Sequence, residues 1–261
     1  MEAIYNTIGN GYNFTRKADP YLTSRIIHFL QPQTKATYLD IGCGTGNYTI
    51  ALSKHGLNIT GVEPSETMLE VAKGRNKQVN WLAGTAEQIP AKNEAFNGAI
   101  ATLTIHHWTD INQALKEIYR VTDMNGKFVL FTATPQQMQG YWLNHYFPNM
   151  MQSSINQMPG LDIIQNGLLK AGFNHIIKEK YSVQDNLEDH FLYSGKLKPS
   201  LYLDKEIRNG ISSFTALANA KEIADGLSEL EKDISNGKFE EIKSRYENNS
   251  GDYLFVVAEK I

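Results

Sequence analysis

The chain has 261 residues, 41% of them hydrophobic, enough for a full buried core and near the size at which one domain starts to carry subdomains. Its 25 Lys and Arg against 28 Asp and Glu give a net charge of -3 without a basic run, so a nucleic-acid partner is not expected, and a single cysteine, Cys43, excludes an intrachain disulfide or thiolate metal cluster. No stretch approaches the ~18 apolar residues of a membrane span and the amino terminus lacks a basic-then-apolar leader pattern, which predicts a reducing, cytoplasmic setting with no membrane partner.

Residues 1–35 read as helical and aromatic-rich, with Tyr5, Tyr12, Phe14 and Tyr21 ahead of Ile26, Ile27 and Leu30, and are expected over the edge of a sheet. From Ala36 to Thr132, short apolar runs alternate with amphipathic stretches, the pattern of a parallel sheet with crossover helices on its faces. Tyr38 to Ile41 predicts a buried strand, Asn47 to His55 a helix, and Ile59 to Glu63 a second strand. Ser65 caps a helix with Met68, Leu69 and Ala72 on one face. Strands follow at Val79 to Ala83 and Ala99 to Ile105, then a helix with Ile111, Ala114, Leu115 and Ile118 inward. Asn125-Gly126 ends that helix, and Lys127 to Thr132 supplies a fifth strand.

Beyond Pro135 the texture changes. Residues 135–160, dense in Met, Gln and aromatics, are too apolar for a plain loop and read as a lid. Residues 161–184 return a helix and a strand to the core, 185–249 form a mainly helical, charged cap, and 250–261 hold the final strand. The first 134 residues then make an amino-terminal helical segment and a ligand-binding core.

The strongest local signal is Asp40-Ile41-Gly42-Cys43-Gly44-Thr45-Gly46, a strand running into glycines and then into a helix. Glycine there permits positive φ and lets a ligand meet the backbone at the strand's carboxyl end. Glu63, ending the second strand, is placed to reach a ribose. The spacing is not the G-x-G-x-x-G of a dinucleotide site, and no Walker lysine is present, which disfavours an NAD-dependent oxidoreductase. An acidic Asp40 ahead of the glycines repels phosphate and suits a cationic ligand such as one bearing a sulfonium and an ammonium.

These residues resemble the class I S-adenosylmethionine-dependent methyltransferases, particularly the bacterial small-molecule group called type 11. Asp40 to Gly46 looks like the D-x-G-x-G-x-G motif, Gly61 to Ser65 like the second-strand motif with its ribose acid, and Ala83 to Pro90 like the adenine loop, with Thr85 where Asp is usual. Phe96 to His107 resembles the F-D-x-V segment followed by L-H-H, with Asn97 where Asp is common, and Met124 to Lys127 resembles L-K-P-G-G.

The resemblance is strong over residues 10 to 134. It implies a Rossmann-like, doubly wound α/β fold with a seven-stranded, mostly parallel sheet whose last strand is antiparallel, under a mainly helical cap. The implied activity is methyl transfer from S-adenosylmethionine, leaving S-adenosylhomocysteine, to a small-molecule acceptor; the competing reading is a donor-binding sensor or structural module without turnover.

Expected donor contacts are Asp40, Gly42, Gly44, Gly46, Glu63, Pro64, Thr85, Ala86, Glu87 and Thr102. By the same resemblance Tyr12 and Arg16 fold over the donor, the guanidinium facing its carboxylate. His106 and His107 are the candidates for a base or an acceptor contact. Trp108, Tyr141, Trp142 and His145 are the candidates for an acceptor pocket. Cys43 reads as a small filler under the glycine turn, and Glu229, Glu231, Lys232 and Asp233 as a solvated helical face, so no metal is expected.

Overall fold

The computed structural model describes residues 15–261. Seven strands, β1 (Thr37–Ile41), β2 (Asn58–Glu63), β3 (Asn80–Ala83), β4 (Phe96–Thr102), β5 (Thr122–Thr132), β6 (Asn174–Tyr181) and β7 (Tyr253–Glu259), form one sheet. Their order is β3-β2-β1-β4-β5-β7-β6. β7 runs antiparallel to both β5 and β6, and the remaining pairs are parallel. The chain therefore reverses its winding between β1 and β4, where a doubly wound sheet leaves a crevice at its carboxyl edge.

Alternation along the strands sorts the core into two layers. One face carries Tyr38, Ile59, Ile100, Val129, Phe131 and Phe255. The other carries Leu39, Ile41, Val62, Ala99, Leu130 and Val256, covered by helices Ile111–Val121 and Ile164 and Leu168 of helix Leu161–Ala171. Ser65 caps its helix as the sequence predicts, Asp110 caps Ile111–Val121, and Gly172 ends Leu161–Ala171 at φ 112°.

Helix Pro20–Leu30, started by Asp19, lies on the first face and not over an edge: Phe29 meets Phe255 at 5.2 Å between ring centres. The edge fails as a site because that helix has a full apolar stripe to bury, including Leu22, Ile26 and Leu30. Two strand bounds also move. β4 stops at Thr102 because Leu103 takes a left-handed φ of 53°, and Ile105 falls in a short 3-10 turn. β5 starts at Thr122, which pairs with Phe96, so the Asn125-Gly126 turn lies inside the strand and not ahead of it.

The lid comprises three short helices, Pro135–Gln139, Leu143–Tyr146 and Pro148–Gln157. The cap is less helical than its composition suggests. Residues 185–198 form no helix, and the long elements are Ala220–Asn236 and Lys238–Ser244.

Aromatic rings fuse lid and cap. Tyr141 stacks on Tyr193 at 3.9 Å, and Trp142 meets Tyr202 and Phe239 edge-on at 5.4 and 4.9 Å. The Trp142 indole N–H donates to the Lys196 carbonyl, and the Tyr141 hydroxyl to that of Asp252. Among the described residues no helix is long and apolar enough to cross a membrane.

Candidate active site

In β1 and β2 Asp40 stands opposite Gly61, two residues before Glu63, so both carboxylates project from the same face. They flank the glycine turn on either side, at the crevice. Both are buried, Asp40 at 3% exposure and Glu63 at 6%.

Each is held. Thr49 donates its hydroxyl to Asp40 Oδ2 at 2.6 Å. The Glu63 carboxylate accepts Gly44 N–H on one oxygen and Ser65 N–H on the other, both at 2.9 Å, which fixes its plane and leaves each oxygen a lone pair for a ligand hydroxyl. Burial pushes the Asp40 carboxyl up to about 7, against the Thr49 hydrogen bond and with help from Glu63. Burial likewise raises Glu63, opposed by the two backbone donors. A site that strains two carboxylates in this way favours a ligand that brings positive charge.

The three glycines of the turn serve different purposes. A Cβ on Gly42 would lie 2.2 Å from Thr104 Oγ1, and one on Gly46 2.4 Å from the Trp81 ring. Only Gly44 faces open space, its nearest neighbour being Met68 Sδ at 3.7 Å. Gly42 and Gly46 are thus small because side chains pack against them, whereas Gly44 is where a ligand can meet the backbone. Cys43 fills the space over Gly61 beside the Trp81 cluster, the filler role expected of it.

Thr102 ends β4 on the same face as Asp40, since Asp40 pairs with Ile100. Its Oγ1 is buried without a hydrogen-bond partner, on the strand next to that of Asp40. Orphaned hydroxyl, paired carboxylates and open Gly44 together fit an adenosyl ligand carrying a cationic sulfur and an ammonium.

The adenine-loop residues are arranged less favourably. Ala86 is buried, and Pro64 and Thr85 are exposed at the carboxyl ends of β2 and β3. Thr85 lines a separate groove with Glu117 and Arg120. Oε1 of Glu87 accepts from Thr109 N, Thr109 Oγ1 and Asp110 N, which ties the loop to the start of helix Ile111–Val121.

Beneath the lid, next to the crevice, lies a cavity with about 680 Å³ of empty space counting its open mouth. His106 and Leu103 line it from the end of β4, Met138 and Tyr141 from the lid, and Phe191 and Ser213 from the cap. The His107 ring lies tilted against that of His106, 3.9 Å between ring centres. Of the other pocket candidates, Trp142 is buried in the aromatic layer between lid and cap, Trp108 packs on the opposite face of the sheet, and His145 turns toward Glu229. None of those three lines the cavity.

Arg16 also lines the cavity, with its guanidinium engaged by Asp189 at 2.5 and 3.4 Å. Asp189, which also accepts from the Tyr48 hydroxyl, carried no recognisable motif in the sequence. Residues 15–19 cross here as a strap: Asn47 donates to the Arg16 carbonyl, His190 N–H to that of Thr15, and Glu188 N–H to Asp19. Tyr12 lies outside the described residues.

The charged face at 229–233 is not wholly solvated. Asp233 is 2% exposed, accepts from the Tyr146 hydroxyl at 3.2 Å, and lies 3.9 Å from Lys238 Nζ. The correction follows from the lid, which lays Tyr146 against this helix. His145, Glu229 and Asp233 offer ligand atoms within 4.8 Å of one another, though Asp233 is already served by a hydroxyl and a lysine.

Compared with known proteins, residues 39–130 match a family model described as a methyltransferase domain. An uncharacterized methyltransferase of Mycobacterium tuberculosis is 30% identical over 135 residues, 52% of this chain and 55% of that protein. A ubiquinone/menaquinone biosynthesis C-methyltransferase of Rubrivivax gelatinosus is 30% identical over 125 residues, 47% of this chain and 48% of that one. The chain thus spans about half the length of the curated relatives it matches. Among solved structures, a putative methyltransferase from an antibiotic biosynthesis pathway of Anabaena variabilis superposes with a TM-score of 0.84 at 33% identity, covering 94% of this chain and 98% of that one. A possible histamine N-methyltransferase of Thermotoga maritima shares the fold, at a TM-score of 0.58 and 20% identity over the full length of both chains.

Proposed function

Because the chain belongs to the class I S-adenosylmethionine-dependent methyltransferases, in the type 11 group, we propose that it methylates a small molecule seated in the cavity beneath the lid. The observation that carries this reading is the pair of buried carboxylates on one face of the sheet, one on each side of the glycine turn. S-adenosylmethionine, when bound, supplies an electrophilic methyl on a positively charged sulfur.

The protein's part is placement and exclusion of water. Glu63, already fixed by two backbone N–H groups, receives the ribose hydroxyls. Asp40 sets a negative potential where the ligand is cationic. Gly44 allows close approach to the backbone, and Thr102 Oγ1 gains the partner it lacks. Arg16, at the strap, brings its guanidinium to the side of the donor carboxylate.

Lid and cap wall the acceptor with Met138, Tyr141 and Phe191, a low-dielectric lining that keeps water from competing. His106 is the contact for the acceptor's reacting end. Alignment of this kind is worth several kcal/mol, up to about 7 to 11 in ideal cases.

A binding module without turnover has no use for an acceptor space, and the cavity supports the enzyme. Two measurements test the reading. Calorimetry with S-adenosylhomocysteine should show binding that weakens in Asp40→Ala and Glu63→Ala. Labelled donor incubated with metabolite pools should yield a labelled product that vanishes in the Asp40 variant. Binding unaffected by either substitution would remove the donor site from this crevice.

A further inference from the structure

We propose that the acceptor is an organic oxyanion, a carboxylate or a phenolate, whose oxygen is held by His106 acting as an N–H donor and not as a base. This rests on the reading of the cavity as the acceptor site.

The two nitrogens of His106 are not equivalent. Nδ1 is sealed from solvent and has no hydrogen-bond partner, while the ring itself lines the cavity. Nε2 is therefore the nitrogen a ligand can reach. A neutral imidazole carries one N–H and one bare lone pair. A proton on Nδ1 would be a buried donor without an acceptor, a condition folded proteins avoid more strictly than an unused lone pair. The proton belongs on Nε2, and the cavity is offered an N–H. The ring also stays uncharged, because burial, reinforced by His107 and Arg16, holds its pKa well below the usual histidine range.

The rest of the lining has the same bias. Gln157, Ser212 and Ser213 bring N–H and O–H groups, and no Asp or Glu side chain is among the described residues lining the cavity. Asp189, the counterion of Arg16, is 1% exposed and sits behind it, outside the lining. An ammonium entering this space would be desolvated with no anion to meet it; an oxyanion finds donors.

The chemistry then needs no base. A lone pair of the oxyanion forms the new O–CH3 bond while the methyl–sulfur bond breaks and its electron pair stays on sulfur. No proton moves. One negative and one positive charge disappear together, a change that a site of lower dielectric than water favours.

The test begins with the intact protein saturated with S-adenosylhomocysteine; failure of that compound to bind would sink the donor site itself, separately from this proposal. Nitrogen-15 NMR of histidine-labelled protein, with the His106 signals assigned by their loss in His106→Gln, should show the Nε2–H tautomer. Phenylacetate and 4-nitrophenolate should each bind at least ~10-fold more tightly than phenethylamine, the scale of a hydrogen bond to a charged group. That preference should survive in His106→Gln, which keeps a donor, and fall in His106→Leu, with unfolding midpoints confirming that both variants fold. If phenylacetate alone binds, the acceptor is a carboxylate; if 4-nitrophenolate alone binds, it is a phenolate. A proton on Nδ1, tighter binding of phenethylamine, or no binding of any of the three probes to the S-adenosylhomocysteine complex overturns it.

Discussion

Replacing Gly44 and Gly46 separately by Ala should split stability from ligand binding. Both sit at positive φ, 56° and 81°, where a Cβ costs about 1–2 kcal/mol. At Gly46 the added methyl also lands 2.4 Å from a Trp81 ring carbon, and that ring is pinned by its N–H to the Asn76 carbonyl at 2.8 Å. Overpacking against a fixed ring adds about 1–3 kcal/mol, for a total of about 2–5. At about 2–4 °C per kcal/mol, the Gly46 variant should melt on the order of 5–15 °C lower.

Gly44 has no such neighbour, so its variant should lose only about 2–8 °C from backbone strain. Its methyl, however, occupies the approach to the backbone. Affinity for S-adenosylhomocysteine should fall by at least ~10-fold, the same overpacking cost moved to the ligand. Thermal unfolding and isothermal titration on both variants decide the matter. If Gly44→Ala is destabilised as much as Gly46→Ala while binding S-adenosylhomocysteine normally, the division of labour among the glycines is wrong.

The buried Asp40 makes a pH prediction. Its carboxyl is raised from 3.8 to about 7 in the fold, so between those values the native state holds a proton that the unfolded chain has released. This group's stabilising contribution is therefore full below about pH 4 and declines as pH rises through about 7, the reverse of a salt-bridged aspartate. Binding of S-adenosylmethionine favours the ionised form, so its affinity should increase from pH 6 to 8 with proton release, seen as a dependence of the binding heat on buffer ionisation enthalpy. That dependence should be gone in Asp40→Asn. Glu63→Ala should weaken S-adenosylhomocysteine by about 1–3 kcal/mol, measured by titration, since a charged acceptor of hydroxyls is lost. Asp189→Ala leaves Arg16 without its carboxylate and should cost about 3–5 kcal/mol in chemical denaturation. Hydrogen exchange should rise in residues 15–19, and equal protection in both proteins would show that the ion pair does not fasten the strap.

The arrangement proposed for the donor could be read from the sequence because its information is local. A strand, a glycine turn and a strand-ending acid lie within Asp40 to Glu63, and parallel pairing of adjacent strands puts the two acids on one face. The same local logic could not separate the glycines, since what excludes a Cβ at Gly42 or Gly46 is Thr104 or Trp81, residues apart in sequence. For a related reason the sequence does not reveal that Glu87, whose motif places it in the adenine loop, also accepts from Thr109 and Asp110.

The acceptor half is non-local throughout. Phe191 and Ser213 reach the cavity from a loop and a short helical turn of the cap, and Trp142 is drawn out of it by Tyr202 and Phe239, partners that no periodicity announces. Asp189 is one acid among many in composition, and only its burial beside Arg16 and Tyr48 sets it apart. Leu103 is the extreme case, a non-glycine at φ 53° that no propensity anticipates; its turn brings Thr104 against Gly42 and its own side chain into the cavity.

The interlocked rings of Tyr141, Trp142, Tyr193, Tyr202 and Phe239 bear on how molecules come and go. Swinging the roof away would tear a dry aromatic seam and bare two hydrogen-bonded side chains at once, a heavy toll for every catalytic cycle. The lighter doorway is the stretch from Thr15 to Asp19, fastened by a handful of polar contacts that water can replace. Traffic through this protein should therefore pass the threshold guarded by Arg16, and the roof should stay shut.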